Sequence, residues 1–264
     1  MRGRANKMKD DYYDFIEKIN KRIGIELRLY KETQMRRRIT TLRDKRGYSS
    51  FGLYYQALFS NKELLDEFID RLTINVSEFY RNPKRWDVLI ERIIPILLKQ
   101  KSKIQIWSAA CSTGEEPYSL AMAMKHNFPT TSFQILATDI DENALKKAKN
   151  GVYLEQALKD LPKVYKDKYF VEQENMYHID HSLKRYITFK KHNLLADIYP
   201  KKVDLIVCRN VLIYFTEEAK NQIYQNFSKS LEEHGVLFVG STEQIFNPNQ
   251  FDLSLIDTFF YQKS

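Results

Sequence analysis

Two adjacent carboxylates, Glu115 and Glu116, follow a run of small residues, Ser108-Ala-Ala-Cys-Ser-Thr-Gly114. Where a loop opens into a helix, negative charge repels a pyrophosphate and attracts a cation. The loop has one glycine, Gly114, and no G-x-G-x-x-G, so it lacks the dinucleotide fingerprint. The chemistry that suits it is a nucleoside-like ligand with positive charge and no phosphate. S-adenosyl-L-methionine, with its sulfonium and α-ammonium, is such a ligand. The competing role for both acids is to favour the helix N-terminus through its dipole.

Three other stretches carry polar residues at spacings that can do chemistry. Asp139, in Ala137-Thr-Asp-Ile-Asp141, ends an apolar run about 20 residues past the loop, where an acid suits a pair of ribose hydroxyls. Its alternative is to cap the next helix, a role open to Asp141 as well. Cys208-Arg-Asn-Val-Leu-Ile-Tyr-Phe215 follows a second apolar run and brings Asn210 and Tyr214 to the same sheet edge. Asn210 has a donor and an acceptor with which to position a ligand, whereas Tyr214 alone can equally be a packing residue. Asn75, Ser77 and Arg81 fall at even separations in Thr73-Ile-Asn-Val-Ser-Glu-Phe-Tyr-Arg81, so an extended segment points all three to one side. Arg81 can pair with a carboxylate, or belong to a solvated linker. Of the five histidines only His178 and His181 are close in sequence, and no metal site is expected.

These residues need a frame, and the hydrophobic pattern supplies one. From Lys103 onward apolar runs alternate with helical periodicity, which predicts an α/β unit with a mostly parallel sheet. Strands are expected at 103–107, 133–139, 186–189, 203–208 and 236–239, with a closing pair at 253–256 and 258–261. Helices are expected from Pro117 and over 217–232. Val203–Cys208 is apolar almost throughout, the mark of a strand buried on both faces. Residues 168–190 are denser in aromatic and polar residues than a crossover needs, and predict a small antiparallel appendage.

Residues 10–72 predict a helical domain. Tyr13, Ile16, Ile19 and Ile23 recur at helical spacing, and so do Met35, Ile39 and Leu42. Gly47 ends the second helix. Ser49 or Ser50 caps a third, and Asn61 a fourth carrying Leu64, Leu65, Phe68, Ile69 and Leu72. The expected organisation is a flexible arm over 1–9, a basic helical domain with its connector over 10–85, and an α/β domain over 86–264.

Length and composition set limits. The chain has 264 residues, 43% hydrophobic, with 16 Phe, 17 Tyr and 2 Trp, enough for a substantial core. Its two cysteines, Cys111 and Cys208, form no C-x-x-C and suggest a reducing compartment. No apolar run approaches the ~18 residues of a membrane span, and the first residues lack the apolar core of a signal peptide. The net charge of +8 is concentrated. Residues 1–85 hold 20 Lys and Arg against 12 Asp and Glu, and the remainder holds 22 of each. The helix with Arg36, Arg37, Arg38, Arg43, Lys45 and Arg46 carries much of the excess, either as a solvated face or as a docking surface for an acidic partner.

Together the motifs at 73–81, 107–119 (Trp-Ser-Ala-Ala-Cys-Ser-Thr-Gly-Glu-Glu-Pro-Tyr-Ser), 138–141, 192–195 (His-Asn-Leu-Leu) and 208–215 resemble the CheR family of chemotaxis receptor glutamate methyltransferases. The likeness spans about residues 10–261. It implies a small all-helical N-terminal domain joined to a Rossmann-like S-adenosylmethionine-dependent methyltransferase sheet, with a small β-subdomain within 168–190. It implies cofactor contacts from Asn75, Ser77, Arg81, Glu116, Asp139, Asn193, Leu194, Asn210 and Val211, with Arg81 and Tyr214 nearest the transferring methyl. Ser77 stands where the family often has Thr, which keeps the hydroxyl.

The resemblance further implies methyl transfer from S-adenosyl-L-methionine to the γ-carboxylate of receptor glutamates, leaving S-adenosyl-L-homocysteine. Arg36, Arg38, Arg43 and Arg46 are expected to dock on the acidic methylation helices of the receptor. A cytoplasmic monomer, recruited to membrane receptor arrays without inserting, and with no nucleic-acid partner, is the corresponding expectation. Two rival readings are an RNA or protein N-methyltransferase and a non-catalytic regulator sensing S-adenosylmethionine or a nucleotide. Against the first, Cys208-Arg-Asn is not the Asn/Asp-Pro-Pro-aromatic sequence associated with amino-group methylation.

Overall fold

A computed structural model describes residues 11–73, 77–99 and 101–264. The chain forms two compact units, Met1–Ile74 with Tyr214–Ala219, and Asn75–Ile213 with Lys220–Ser264. The arm expected over 1–9 lies outside the described residues.

Among the described residues the first unit has four α-helices, α1 (Asp11–Ile23), α2 (Glu32–Lys45), α3 (Phe51–Ser60) and α4 (Lys62–Thr73). The apolar stripes read from the sequence face inward except at Tyr13, which is 49% exposed while its neighbour Tyr12 takes the inner face of α1. Phe15, Ile16 and Ile19 of α1 are buried with Met35, Ile39 and Leu42 of α2, Tyr54 and Leu58 of α3, and Phe68 and Leu72 of α4. The Phe15 ring packs on Phe51, Tyr54 and Phe68 with centroids 5.3 to 6.1 Å apart, close to the range favoured by aromatic pairs. Gly47, with φ +79°, follows the end of α2 in the left-handed region that favours glycine. Ser50 accepts the Leu53 N–H at 3.2 Å and Asn61 accepts the Leu64 N–H at 3.1 Å, so both serve as the N-caps read from the sequence. The segment from Tyr214 joins this unit through its backbone. Lys31 N–H donates to the Tyr214 carbonyl at 2.9 Å, and Thr216 N–H donates to Leu29 at 2.9 Å.

The second unit opens with α5 (Pro83–Val88), a π turn (Leu89–Ile93) and α6 (Ile94–Leu98). Its chain order is then β1 (Lys103–Ala109), α7 (Glu115–Asn127), β2 (Ser132–Asp139), α8 (Glu142–Asn150), β3 (Val152–Leu154), α9 (Lys163–Tyr169), β4 (Phe170–Gln173), β5 (Met176–Ile179), α10 (His181–Lys184), β6 (Ile187–Lys191), β7 (Val203–Cys208), α11 (Glu217–Ser230), β8 (Leu231–Val239), β9 (Leu253–Asp257) and β10 (Phe260–Lys263). Seven strands make one sheet in the order β6-β2-β1-β7-β8-β10-β9. The first five are parallel, and β10 and β9 close the edge antiparallel. Strand order reverses between β1 and β7, and in open α/β sheets ligands bind outside the carboxyl ends at such a switch point.

Three details differ from the sequence reading. The appendage is a three-stranded antiparallel sheet in the order β3-β5-β4. It therefore begins at Val152, and the expected range 168–190 misses its first strand. Three residues are too few to show a period of two, so β3 left no pattern to read. At the other end, Ile187–Lys191 belongs to the large sheet as β6, paired with β2. Lastly, α11 stops at Ser230 and β8 begins at once, because Leu231 already pairs with Val203.

Candidate functional site

The β1–β7 register sets Trp107 beside Ile206 and Ser108 beside Val207. The loop after β1 and the turn after β7 therefore leave neighbouring strand ends. The first is tightly wound. Ala110, Ser112 and Gly114 all have left-handed backbones, with φ of 60°, 49° and 99°. A Cβ on Gly114 would stand 2.8 Å from Cβ of Ala148 and 3.0 Å from the Tyr153 hydroxyl, so only glycine fits there. Tyr153 fixes the loop from β3 by donating to the Thr113 carbonyl at 2.9 Å.

Asp139 ends β2 and is buried. Its Oδ2 accepts the Ser112 N–H at 2.8 Å, and its Oδ1 accepts the Asp141 N–H at 2.9 Å. Asp141 caps α8 through the N–H groups of Asn143 and Ala144, so the capping alternative for Asp139 falls to its neighbour. Burial pushes the Asp139 carboxyl up to about 6 against the pull of those two backbone donors.

Glu115 and Glu116 begin α7 and point to different partners. Thr113 Oγ1 donates to both oxygens of Glu115 at 2.8 Å, and the Ser77 hydroxyl is also bonded to it. Burial raises the Glu115 carboxyl. Glu116 accepts from Ser108 Oγ at 2.8 Å and lies 3.9 Å from Arg209 Nη1. Burial pushes it up to about 7, opposed chiefly by the Arg209 charge.

Arg81 is half-buried, and its positive field also lowers the Glu116 carboxyl. Its carbonyl accepts from Arg209 Nη2 at 2.7 Å and from Trp86 Nε1 at 3.2 Å. Ser77 thus bonds Glu115, and the charge of Arg81 acts on Glu116. Asn75 lies outside the described residues.

Asn210 follows β7 with φ +61°. Its N–H donates to Glu243 Oε2 at 2.7 Å, and the Leu212 and Ile213 N–H groups donate to Oε1 at 2.6 and 3.3 Å. Val211, between them, is half-buried. Tyr214 groups with the helical unit, where the Arg38 guanidinium lies 5.8 Å from its ring centroid. On the β2 side, His192 N–H donates to the Asp139 carbonyl at 2.9 Å, which fixes the turn that follows. In that turn Asn193 Oδ1 accepts the Leu195 N–H at 2.9 Å, and the buried Leu194 lends its carbonyl to the Tyr199 hydroxyl at 2.7 Å.

The arginines of α2 are more occupied than their spacing suggests. Arg36 stacks over Tyr12, Arg38 donates to the Leu72 carbonyl, Arg43 lies 4.4 Å from the Phe51 centroid and binds Asp44, and Arg46 pairs with Glu67 at 2.6 Å. Arg37 is exposed and, with Arg36, Thr40, Thr41, Glu32 and Thr33, lines a shallow cleft on the outer face of α2.

Arg209 and Glu243 were not singled out from the sequence. The available signal was a charged residue soon after a buried strand: Arg209 directly after Cys208, and Glu243 four residues past Val239. Among the described residues, no group of three or more His, Cys, Asp or Glu is placed to hold a metal ion, and no helix is long and apolar enough to cross a membrane.

The donor set fits S-adenosylmethionine. Three buried or half-buried acids, Glu115, Glu116 and Asp139, surround the loop at the switch point. A phosphate would meet repulsion there, whereas an ammonium and two hydroxyls find acceptors.

Comparison with known proteins agrees. Residues 75–260 match the CheR methyltransferase SAM-binding domain, and residues 10–73 match the CheR methyltransferase all-alpha domain. A chemotaxis protein methyltransferase of Listeria monocytogenes serovar 1/2a is 46% identical over 97% of this chain and 98% of its own length. Proteins of the same description from Borreliella burgdorferi and Escherichia coli K12 are 36% and 33% identical, over 91% and 85% of this chain and 90% and 81% of their own. With both domain types in their expected order and the acid-lined loop at the switch point, the chain belongs to the CheR methyltransferase family, whose cofactor is S-adenosylmethionine.

Proposed function

We propose that this methyltransferase esterifies the γ-carboxylates of glutamates on chemotaxis receptors, the modification that serves sensory adaptation. The observation that carries the reading is that one chain holds both an acid-lined loop at the switch point and a helical unit with exposed basic residues on α2. A glutamate on an acidic receptor helix is the acceptor such a surface suits.

S-adenosylmethionine, when bound, supplies a methyl group made electrophilic by its sulfonium. The residues that hold it in this reading are Glu116 for the ammonium, Asp139 for the ribose hydroxyls, Asn193 and Leu194 beside the base, and Asn210 and Val211 along the turn after β7. Asn75 and Ser77 complete the set from the connector, Ser77 through its bond to Glu115. A carboxylate acceptor is already ionised at neutral pH, so no side chain has to remove a proton. Arg81 and Tyr214 then act by orientation and by excluding water from the nucleophile. A close ion pair between Arg81 and the acceptor would quench that nucleophile. Its role is therefore to anchor geometry, with Tyr214 as a hydrogen-bonding orienter. The receptors at the membrane are the proposed partners, met by a protein that does not itself insert.

The test incubates the protein with methyl-labelled cofactor and chemoreceptor-bearing bacterial membranes, then treats the labelled receptor with alkali. A methyl ester releases methanol, and label that survives alkali rejects the ester.

A further inference from the structure

Arg209 is a buried cation that the reaction as described does not use. Its side chain is 4% exposed. Nη2 donates to the Arg81 carbonyl, and Nη1 faces Glu116 at 3.9 Å. The guanidinium lies 4.8 Å from the Phe238 centroid and 5.9 Å from that of Trp86, while its Nε has no hydrogen-bond partner. A guanidinium so poorly hydrated is costly unless a counter-charge is near, and Glu116 is the carboxylate within ion-pair distance.

We infer that Arg209 is a positioning residue: it fixes the peptide of Arg81 and favours the anionic form of the Glu116 carboxylate, which meets a ligand's ammonium. The inference rests on the reading of Glu116 as the group that meets that ammonium. The two contacts act on two sides of one site. The bond to the Arg81 carbonyl ties the connector to the end of β7, and the charge acts on the first turn of α7. Glu116 is faced by four elements. Ser108 on β1 donates to it, Arg81 and Arg209 favour its anion, and Glu243 after β8 disfavours it. The neighbouring thiols of Cys111 and Cys208 are held neutral by burial. Without Arg209, only the Ser108 hydrogen bond and the Arg81 charge, both smaller effects, would oppose burial and the Glu243 charge, and the carboxyl would keep its proton near neutral pH. A protonated Glu116 keeps its shape but loses the charge that attracts an ammonium.

The experiment measures the affinity of the full chain for S-adenosylhomocysteine by calorimetry between about pH 5.5 and 9. This ligand has the ammonium and lacks the sulfonium, so the readout is binding and not turnover. Wild-type affinity should weaken as pH falls through about 7. Arg209→Gln should move that inflection upward by about 1–3 units, the range for losing an adjacent opposite charge. At neutral pH this appears as a loss of about tenfold or more. In a Glu116→Gln background the inflection near 7 should vanish, leaving at most the one near 6 that belongs to Asp139, and Arg209→Gln should then leave the shape of the profile unchanged. A wild-type profile with no inflection sinks the Glu116 reading beneath the inference. An inflected wild type with an unmoved Arg209→Gln profile sinks the Arg209 role alone. Should Arg209→Gln not fold, Arg209→Lys decides, because the retained charge must leave the inflection at its wild-type position, and a displaced inflection overturns the role.

Discussion

Glu243 accepts the backbone N–H of Asn210 at 2.7 Å from 33 residues further along the chain. The same carboxylate takes the N–H groups of Leu212, Ile213 and Gly240. It thereby staples the end of β8 to the turn that carries Asn210 and Val211. A Cβ on Gly240 would fall within 2.8 Å of the Asn210 nitrogen, so the two segments approach as closely as glycine allows. Glu243→Gln turns one acceptor oxygen into a donor facing N–H groups. It should cost about 1–3 kcal/mol of stability, seen in denaturant unfolding, and weaken S-adenosylhomocysteine binding. Unfolding and binding both matching wild type would refute the stapling role.

The acids of the site make stability pH-dependent in a sense opposite to surface ion pairs. Burial raises Glu116 to about 7 and Asp139 to about 6, above the ordinary ~4 of an unfolded carboxylate. The folded chain holds these protons more tightly. Their contribution is full below about pH 4 and is lost as pH rises through 6 and 7. The thermal midpoint of the ligand-free protein should therefore drop between about pH 4 and 7 and level off above. Glu116→Gln should flatten the upper part of that slope. Exposed carboxylates held low by basic neighbours, such as Glu142 beside Lys191, act with the opposite sign and in more acid solution.

Gly114→Ala should be poorly tolerated. The residue sits at φ +99°, and the added methyl meets Ala148 at 2.8 Å. A cost of about 1–3 kcal/mol is expected for a side chain forced into that region, with loss of S-adenosylhomocysteine binding, since the loop moves with it. A thermal scan and a binding titration of the purified variant check both.

Arg81→Ala separates chemistry from folding. The bonds from Arg209 and Trp86 go to the Arg81 carbonyl, and truncating the side chain leaves that carbonyl in place. Stability should stay within about 1 kcal/mol of wild type, while turnover falls on the order of 100-fold, as expected when a reactant loses its alignment. An unchanged rate would remove Arg81 from the catalytic set.

The helix α2 offers a contrast between an exposed cation and a packed one. Arg37 is exposed, so Arg37→Glu should weaken receptor methylation in a salt-dependent way and leave S-adenosylhomocysteine binding intact. Arg43 covers the Phe51 ring and binds Asp44, so Arg43→Glu should also destabilise the helical unit by about 1 kcal/mol. Receptor affinity that ignores both salt and Arg37→Glu would reject α2 as the docking face.

The sequence by itself determined what depends on neighbours along the chain. Helical spacing marked the stripes of α1 to α4, Ser50, Asn61 and Asp141 announced the caps of α3, α4 and α8, and the small-residue loop before Glu115 and Glu116 marked the ligand type. Each is a property of a few consecutive residues, where one face or one turn decides the residue type. Only the tertiary structure decided which partners those residues meet. Strand order sets β1 beside β7, which brings Arg209 to Glu116 across 93 positions and Glu243 back to Asn210. It also recruits the three-residue β3 into an antiparallel sheet and spends most of the α2 arginines on rings and carboxylates of their own unit. Pairing at long range leaves no periodic trace, because any segment of suitable length and polarity would satisfy the local pattern, and only the packed chain selects one.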